Sequence, residues 1–434
     1  MYIIQDIMTE IWEPISNTYK EAYEKASKMD AKEIFEKLRH LEMFIVEYPD
    51  PYPKMNLLVT TGCHHAIKDG NISGCSMCND SISRMTDSFA VVNALRHKDI
   101  DLYAKLVRLS FENKRGIIRE QMGTEVVTGC DCLNEMEFPE QVFKEMFGCN
   151  GVFQVRPFRY SFEIRADSIN KEKLDMMLGY LGRGRTYIEI GVEVVNEWVR
   201  NHWINKNVTD NQIETAISLI REAGCKVNAN VLIGVPGLTE EQSIDLFLES
   251  VKKLIELKVD RITFHPLNRK PYTLHNFIYE NLRDNDRLAE IGIANGEHTG
   301  LTWMFTAVEA MARAFEMTPQ LKGNFGVGQF NIFRGSDVLA YNNDRECQCN
   351  EQLFDVIDRA MKTLDMKELM ETRETMKKDK CYEEYLKLIE KQKKAGSIAN
   401  TVSIVGEEVI KALWPDCWEK KIEKFKKEME SLKA

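Results

Sequence analysis

Strand-like apolar runs alternate with helical stretches between Met55 and His265, and this alternation constrains the fold more than any other feature. The six runs are Asn56–Thr60, Glu125–Thr128, Tyr160–Ile164, Tyr187–Val192, Lys226–Ile233 and Arg261–His265. Strands separated by helices are typical of βα units, in which neighbouring strands are parallel. Six units are fewer than the eight of a closed barrel, so the sequence predicts an α/β fold with an open, partial (β/α)6 barrel. Chemistry is then expected at the carboxyl ends of the strands.

Helical stretches are predicted between these strands at Phe89–Phe111, Pro139–Met146, Lys171–Leu181, Asp210–Ala223 and Glu240–Leu257. Threonine side chains commonly cap helix N-termini, so Thr209 and Thr239 are expected as the N-caps of the last two helices. Glycine is common just after a helix, and Gly224 is expected to close the helix that begins at Asp210.

The chain is expected to divide into three regions. Residues 1–52 are predicted to form an N-terminal helical extension, because Ile15–Phe44 is rich in helix-forming residues with apolar positions at helical spacing. A proline-broken linker, Tyr48–Lys54, leads into the barrel at residues 53–270. Residues 271–434 are predicted to be a mainly helical region that covers the barrel, with one helix at Trp303–Met317.

Composition argues against several protein classes. The net charge is −10, which does not favour a general nucleic-acid-binding surface. The N-terminus lacks the features of a signal peptide, and no apolar run is long enough to span a membrane. Eleven cysteines, an odd number and unevenly grouped, do not indicate a disulfide framework. We therefore expect a protein of the reducing cytoplasm.

Three cysteines follow the first predicted strand with the spacing C-x11-C-x2-C, at Cys63, Cys75 and Cys78. Three thiolates can bind three irons of a four-iron cluster and leave the fourth iron open to another ligand. The alternative is a structural zinc ion, for which His64 or His65 would supply the fourth ligand.

The cysteine loop, followed by such a barrel, resembles the radical S-adenosylmethionine (SAM) superfamily. Later segments resemble its elongator-catalytic-subunit-like branch, and within that branch they are most similar to the radical subunit of archaeosine synthase. These segments are Thr128–Pro139, Ser161–Ile169, Tyr187–Gln212 and Lys226–Gln242. Two features depart from the family pattern. The first cysteine gap is longer than the usual three or nine residues, and Met77 stands where an aromatic residue commonly precedes the third cysteine.

The resemblance implies an oxygen-sensitive enzyme with two cofactors. Cys63, Cys75 and Cys78 would bind a [4Fe–4S] cluster, and its fourth iron would bind SAM. Reductive cleavage of SAM would release a 5′-deoxyadenosyl radical that abstracts hydrogen from a substrate. A reductant such as ferredoxin or flavodoxin would feed the cluster.

The resemblance also implies contacts to SAM. Thr128 and Gly129 would meet its amino group, and Glu163 and Arg165 would reach its ribose or carboxylate. Glu193 would hold the ribose hydroxyls and Lys206 the carboxylate, while Gly234 would allow close approach of the adenine. The alternative for Glu163 and Arg165 is an interior ion pair, and the alternative for Lys206 is a solvated charge before a helix.

Two C-x-C pairs predict a possible second metal site. Cys130 and Cys132 follow the second strand, and Cys347 and Cys349 lie far along the chain. Together they would form a four-thiolate set for zinc or an auxiliary cluster. The alternative is that they are packing residues, as is expected of Cys149, Cys225, Cys381 and Cys417.

The substrate is expected to be a small molecule or an amino-acid-like compound, because an acidic chain opposes docking of a polyanion. The alternatives are a tRNA base, as in archaeosine synthase, and a non-catalytic zinc-binding scaffold. His265–Phe277 carries two histidines where the sixth strand opens and is a candidate substrate-binding segment. Gly323–Arg334 is glycine-rich but lacks the lysine of a phosphate-binding loop.

Overall fold

A computed structural model of the chain describes residues 2–48, 54–68, 71–82, 85–113, 124–153, 159–318, 325–327, 338–342, 345–363 and 366–433. Most of the linker Tyr48–Lys54 and of the glycine-rich stretch Gly323–Arg334 lies outside these residues, so the expectations for both are not addressed.

One large sheet organises the molecule. Its strands are β1 (Ile45–Tyr48), β2 (Lys54–Leu58), β5 (Thr124–Thr128), β6 (Arg159–Ile164), β7 (Thr186–Glu193), β8 (Lys226–Ile233), β9 (Arg261–Pro266) and β10 (Phe325–Val327). They lie side by side in that order. The six strands from β2 to β9 are parallel, β10 adds in parallel to β9, and β1 pairs antiparallel with β2. The prediction of an open α/β fold built on six parallel strands is confirmed.

The chain forms a small second sheet between the first and second parallel strands in sequence order. Its two short strands are β3 (Ile67–Lys68) and β4 (Asn71–Ile72), which pair antiparallel.

Helices flank the sheet and dominate both ends of the chain. They are α1 (Ile3–Ala26), α2 (Ala31–Leu38), α3 (Asp87–Lys98), α4 (Ile100–Asn113), α5 (Glu140–Phe147), α6 (Lys171–Leu181), α7 (Asp210–Glu222), α8 (Glu240–Glu256), α9 (Leu274–Leu282), α10 (Asp286–Glu290), α11 (Met304–Met317), α12 (Gln348–Thr363), α13 (Lys367–Met376), α14 (Lys380–Gln392), α15 (Ile398–Leu413) and α16 (Trp418–Lys433). No helix among the described residues is long and apolar enough to cross a membrane.

Two helix N-termini and one helix C-terminus have the capping residues that were predicted from the sequence. Thr209 and Thr239 each form a capping box, in which the threonine accepts from the backbone of the third helical residue and that residue's glutamine side chain accepts from the cap. Gly224 follows the end of α7 with φ +74°, a conformation that glycine adopts without strain.

Two sequence predictions are wrong in detail. The single helix expected over Phe89–Phe111 is divided into α3 and α4 at Asp99, whose Oδ1 accepts a hydrogen bond from Leu102 N at 2.9 Å and so caps the second helix. The N-terminal extension is not wholly helical, because Ile45–Tyr48 is strand β1, paired from Ile45 opposite Leu58. The apolar run at this point is short and becomes a strand because the edge of β2 offers a backbone partner.

Polar contacts fasten the terminal helices to the barrel. Gln242 near the start of α8 donates from Nε2 to Thr401 Oγ1 of α15 at 2.9 Å, and Glu240 N donates to Gln392 Oε1 at the end of α14 at 2.9 Å. From the other end of the chain, Trp12 Nε1 donates to Tyr272 O at 2.7 Å. Both terminal regions are therefore held against segments that follow the carboxyl ends of β8 and β9.

Candidate functional site

A cavity of about 160 Å³ lies at the carboxyl ends of the parallel strands. Seven of the residues singled out from the sequence line it together: Cys63, Cys75, Cys78, Glu163, Arg165, Glu193 and Lys206. They come from the loop after β2 and from the ends of β6 and β7. Parallel strands bring their carboxyl ends to one edge of the sheet, which explains why residues far apart in sequence meet here.

Regular structure occupies the described part of the long gap between the first two cysteines. A short 3-10 turn at His64–Ala66 follows Cys63, and the hairpin of β3 and β4 comes next. Ser73 N then donates to Ala66 O at 2.8 Å, which closes the insertion at its base. The extra residues thus form a hairpin that leaves the cavity and returns to it, so the thiols can share one cavity despite the spacing.

The cysteine loop is tied to the segment that follows β7. Ser76 N donates to Ile204 O at 2.8 Å, and Asn205 Nδ2 donates to Gly74 O at 2.9 Å. Asn205 is buried with φ +63°, a strained conformation for a residue other than glycine. These contacts fix Cys75 relative to Lys206, which follows Asn205.

The histidines of the loop do not join the thiols. His65 Nε2 lies 2.6 Å from Asn205 O, and His64 lines a different cavity, next to α1 and α3. A single zinc ion with Zn–S bonds of about 2.3 Å would hold its sulfurs about 3.8 Å apart. Among the described residues, a group of three ligand atoms within 4.8 Å of one another occurs elsewhere, at Cys347, Cys349 and Cys381, and not at the loop cysteines.

Glu193 and Lys206 form a buried ion pair on the wall of the cavity. Lys206 Nζ lies 2.6 Å from Glu193 Oε1. Burial opposes the charge on Lys206, but Glu193 and the nearby Cys75 outweigh this effect, so the pKa of Lys206 is raised. Glu193 is the last residue of β7 and has φ +64°, so its backbone is strained at the residue whose carboxylate lines the cavity. Lys206 is therefore a buried cation facing the cavity, not a solvated charge.

Arg165 contributes both charge and structure. Its guanidinium binds both oxygens of Asp167, at 3.0 and 3.2 Å, and donates to Lys206 O at 2.8 Å. Arg165 thus forms an interior ion pair, the alternative to a SAM contact, and its partner is Asp167. Burial raises the pKa of the Cys75 thiol, while the positive charges of Lys206 and Arg165 oppose that shift. The two cations therefore favour the thiolate form that metal binding requires.

Thr128 positions Glu163 and does not itself line the cavity. Glu163 N donates to Thr128 Oγ1 at 3.1 Å, and Cys130 N donates to Glu163 Oε2 at 3.1 Å. The Thr128 side chain is fully buried, and Gly129 is likewise absent from the cavity lining. Cys130, with φ +69°, does line the cavity.

Gly234 lies beside a neighbouring cavity and not this one. It lines that smaller space together with Gly237, His298 and Trp303, and Leu267 borders both spaces. Gly234 has φ +102°, and a Cβ there would collide with Thr302 Oγ1. The structure accordingly assigns this glycine to close packing against the segment before α11.

Sequence reasoning missed several polar residues of the cavity. They are Asp80, Glu189 and Asn230, whereas Lys270, which also lines the cavity, belongs to the segment predicted to bind substrate. Glu189 shares a face of β7 with Glu193 by the alternation of side chains along a strand, and Asn230 is a polar residue inside an apolar strand. His265, part of the segment predicted to bind substrate, also lines the cavity. Burial lowers the pKa of His265 to about 4, so its ring is neutral at pH 7.

The predicted four-cysteine metal set is wrong in its membership. Cys130 lines the cavity and Cys132 is fully buried, whereas Cys347 and Cys349 lie with Cys381. Cys381 was expected to be a packing residue. The two C-x-C motifs look alike in the sequence, which led to the prediction that they bind one metal together. In the structure, the thiol that joins Cys347 and Cys349 is that of Cys381, in the first turn of α14.

No family model matches the chain. The uncharacterized protein MJ0550 of Methanocaldococcus jannaschii is 24% identical over 317 residues, 71% of this chain and 76% of that protein. Protein YhcC of Escherichia coli K12 is 25% identical over 206 residues, and this match spans 46% of the chain and 59% of YhcC.

Two solved structures show low similarity. The Elp3 protein of Methanocaldococcus infernus is 15% identical over 62% of this chain and 59% of its own, with a TM-score of 0.39. The radical S-adenosylmethionine methyltransferase TsrM of Kitasatospora setae is 16% identical over 52% of this chain and 39% of its own, with a TM-score of 0.34. Similarities this low do not indicate a function, so the function is inferred from the residues of this chain.

Proposed function

We propose that this chain is a radical SAM enzyme in which Cys63, Cys75 and Cys78 bind three irons of a [4Fe–4S] cluster and leave the fourth iron to SAM. The observation that carries the proposal is the convergence of these thiols with Glu163, Arg165, Glu193 and Lys206 on one cavity. The cysteine motif supplies the metal ligands, and the charged residues supply partners for an amino acid and a ribose.

The cavity walls fit a polar ligand. Asn230 Oδ1 and His265 Nε2 are buried and have no hydrogen-bond partner among the described residues, and such atoms usually meet a ligand or water. Gly191 lies where any side chain would intrude, because a Cβ there would be 2.7 Å from Glu193 Oε1 and would collide with Lys206 Nζ. Both observations favour a site shaped to bind a polar group closely.

When bound, the reduced cluster and SAM would supply a 5′-deoxyadenosyl radical that abstracts a hydrogen atom from the substrate. The protein would bind and orient the cofactor. Lys206 and Arg165 would attract the carboxylate, and Glu193 and Glu163 would accept from the ribose hydroxyls. Burial of Arg165, Glu193 and Lys206 would keep water from a reactive intermediate.

The substrate class is part of the proposal. A small molecule or an amino-acid-like compound fits a cavity that also presents Asp80, Glu189 and Lys270, groups able to pair with an amine or a carboxylate. The net charge of −10 disfavours a tRNA substrate of the archaeosine-synthase type unless a partner subunit binds the RNA.

Anaerobic reconstitution with iron and sulfide tests the proposal. The full chain is expected to turn brown, to show the absorption of a [4Fe–4S] cluster, and to release 5′-deoxyadenosine from SAM on reduction with dithionite. Cys63→Ser, Cys75→Ser and Cys78→Ser should each lose the cluster and this activity. Cys149→Ser, at an exposed cysteine, is the matched control and should retain both.

Two outcomes would contradict the proposal. A colourless, anaerobically purified protein with zinc bound through the loop cysteines would support the zinc scaffold instead. Salt-dependent, saturable binding of tRNA by the reconstituted protein would overturn the small-molecule assignment but leave the radical chemistry intact.

A further inference from the structure

Three thiols meet at a second place in the described part of the chain, far in sequence from the loop cysteines. The sulfur atoms of Cys347, Cys349 and Cys381 all lie within 4.8 Å of one another. Cys349 and Cys381 are buried and Cys347 is half-buried, and the Sγ atoms of Cys347 and Cys381 are 3.2 Å apart. None of these three residues lines the cavity that is proposed to bind SAM, and the function proposed above gives them no role.

The three sulfurs lie close enough together to share a single metal ion once the Cys347–Cys381 pair, at 3.2 Å, widens slightly. A tetrahedral zinc with Zn–S bonds of about 2.3 Å would hold each pair of sulfurs about 3.8 Å apart. Thiolates are soft ligands that select zinc over the hard cations magnesium and calcium. Three converging thiols also differ from an ordinary packing contact, in which one cysteine behaves as a small apolar residue.

Two helix N-termini meet at the cluster. Cys347 directly precedes α12 and Cys349 lies in its first turn. Cys381 lies in the first turn of α14, where its backbone N–H donates to Asp379 Oδ1 at 2.8 Å. Helix N-termini stabilise negative charge, so both helices favour thiolates at this point.

A polar neighbour supports one of the sulfurs. Asn342 Nδ2 lies 3.7 Å from Cys349 Sγ, in position to donate to a thiolate. The same asparagine accepts from Phe305 N at 3.0 Å through Oδ1, so its orientation is fixed by the first turns of α11. Groups that hold and tune a metal ligand in this way are common around metal sites.

We propose that Cys347, Cys349 and Cys381 form a mononuclear zinc site that joins the N-terminus of α12 to that of α14. The half-buried side of Cys347 leaves the fourth position to water. Zinc binding replaces the thiol protons, which pass to solvent, and forms three Zn–S bonds without any redox change. The site stabilises the packing of the C-terminal helices and takes no part in radical chemistry.

The experiment uses the full chain with Cys63, Cys75 and Cys78 all changed to serine, so that the loop binds no metal. This variant, purified anaerobically, is expected to contain one zinc per chain. Exchange of that zinc for cobalt(II) should give the intense near-ultraviolet absorption of thiolate-bound cobalt. Adding Cys381→Ser or Cys347→Ser should reduce the zinc content at least tenfold, whereas adding Cys225→Ser, at another buried cysteine, should not.

A folding readout separates metal loss from misfolding. Zinc removal by a chelator should lower the Tm of the parent variant, and zinc return should restore it. Circular dichroism of the Cys347→Ser protein should remain that of the parent, because this side chain is half-buried. Any of three results would overturn the proposal: no bound zinc or cobalt in the parent, an iron–sulfur spectrum in the parent, or a Cys347–Cys381 disulfide under anaerobic preparation. None of them bears on the loop cluster, so the two proposals fail separately.

Discussion

Lys206 Nζ lies 2.6 Å from Glu193 Oε1, and both side chains are buried on the wall of the cavity that the loop cysteines share. A pair of this kind balances the charge of each partner where water is scarce. It also means that a carboxylate arriving at Lys206 would share the lysine with Glu193. The pair is therefore the point at which protein stability and ligand binding are most directly linked.

Replacing Lys206 tests this link. Lys206→Met leaves Glu193 buried without its cation, so we expect unfolding to become easier by about 3–5 kcal/mol. SAM affinity should fall at least tenfold, as expected for loss of a charge-assisted contact. Urea unfolding and equilibrium binding of SAM to the reconstituted protein would measure the two effects.

Two further variants separate the effects on stability and binding. Adding Glu193→Gln to Lys206→Met should recover part of the stability without restoring SAM binding. Lys226→Met removes an exposed ion pair with Asp260 and should cost less than about 1 kcal/mol. Wild-type SAM affinity in Lys206→Met would contradict the assignment of Lys206.

Gly191 offers a steric test of the same wall. In Gly191→Ala the new methyl group would press on Lys206 Nζ and Glu193 Oε1. Lysine can shift its flexible end, so we expect a stability loss of only about 1 kcal/mol but a SAM affinity at least tenfold weaker. Gly184→Ala is the matched control, because a Cβ there meets nothing within 4 Å and should leave both quantities almost unchanged. Equal effects of the two substitutions on SAM binding would argue against a ligand at Gly191.

Strand β10 was not predicted, whereas the six strands from β2 to β9 could be, because each is a short apolar run that alternates with helical stretches. Strand β1 could not, since the residues around Ile45 suit a helix or a strand and the edge of β2 decides between them. The break between α3 and α4 could have been predicted, because aspartate is a common helix-capping residue and Asp99 lies inside the long helical pattern. Apolar periodicity alone does not indicate this break.

The sequence predicts which residues lie near the strand ends that border the cavity, but it does not predict contacts that arise from tertiary packing. Glu193 and Lys206 belong to one continuous segment that resembles the family pattern, but the resemblance does not predict their ion pair with each other. Cys381 joins Cys347 through the packing of α14, across 34 residues, and no spacing rule indicates that contact. The family resemblance predicts Gly234 beside the adenine of SAM, but its close neighbour in the structure is Thr302 of the C-terminal region.

Arg200 is expected to hold the segment that carries Lys206. Its side chain is completely buried; Nε donates to Val208 O at 2.8 Å and Nη1 to Val194 O at 3.1 Å. Lysine lacks the planar fork, so Arg200→Lys would leave buried carbonyls unpaired and cost about 3 kcal/mol. Chemical unfolding would measure this, with exposed Arg221→Lys as a control expected to change stability by less than about 0.5 kcal/mol.

A SAM-binding measurement completes the test of Arg200. If the arginine positions Lys206, the folded Arg200→Lys protein should also bind SAM more weakly, by about tenfold or less. A variant as stable as the wild type would show that the buried guanidinium is not needed to order this segment.

Glu240 predicts how stability depends on pH. Burial raises the pKa of Glu240 to about 7, although Thr306 Oγ1 donates to its Oε2 at 2.5 Å. The unfolded chain ionises this group near its usual pKa of about 4.5, so the folded state holds an extra proton between these values. The contribution of Glu240 to stability is then largest below pH 4.5, falls as the pH rises, and levels off above pH 7.

Glu240→Gln should remove this dependence, because glutamine stays neutral and can still accept from Thr306. A difference of about 2.5 pKa units corresponds to roughly 3 kcal/mol, so the variant should gain about that much over the wild type between pH 4.5 and pH 8. Unfolding free energies measured across this range would show it. Glu222→Gln, on the exposed end of α7, should follow the wild-type profile. Parallel profiles for Glu240→Gln and the wild type would show that Glu240 is not the group whose ionisation opposes folding.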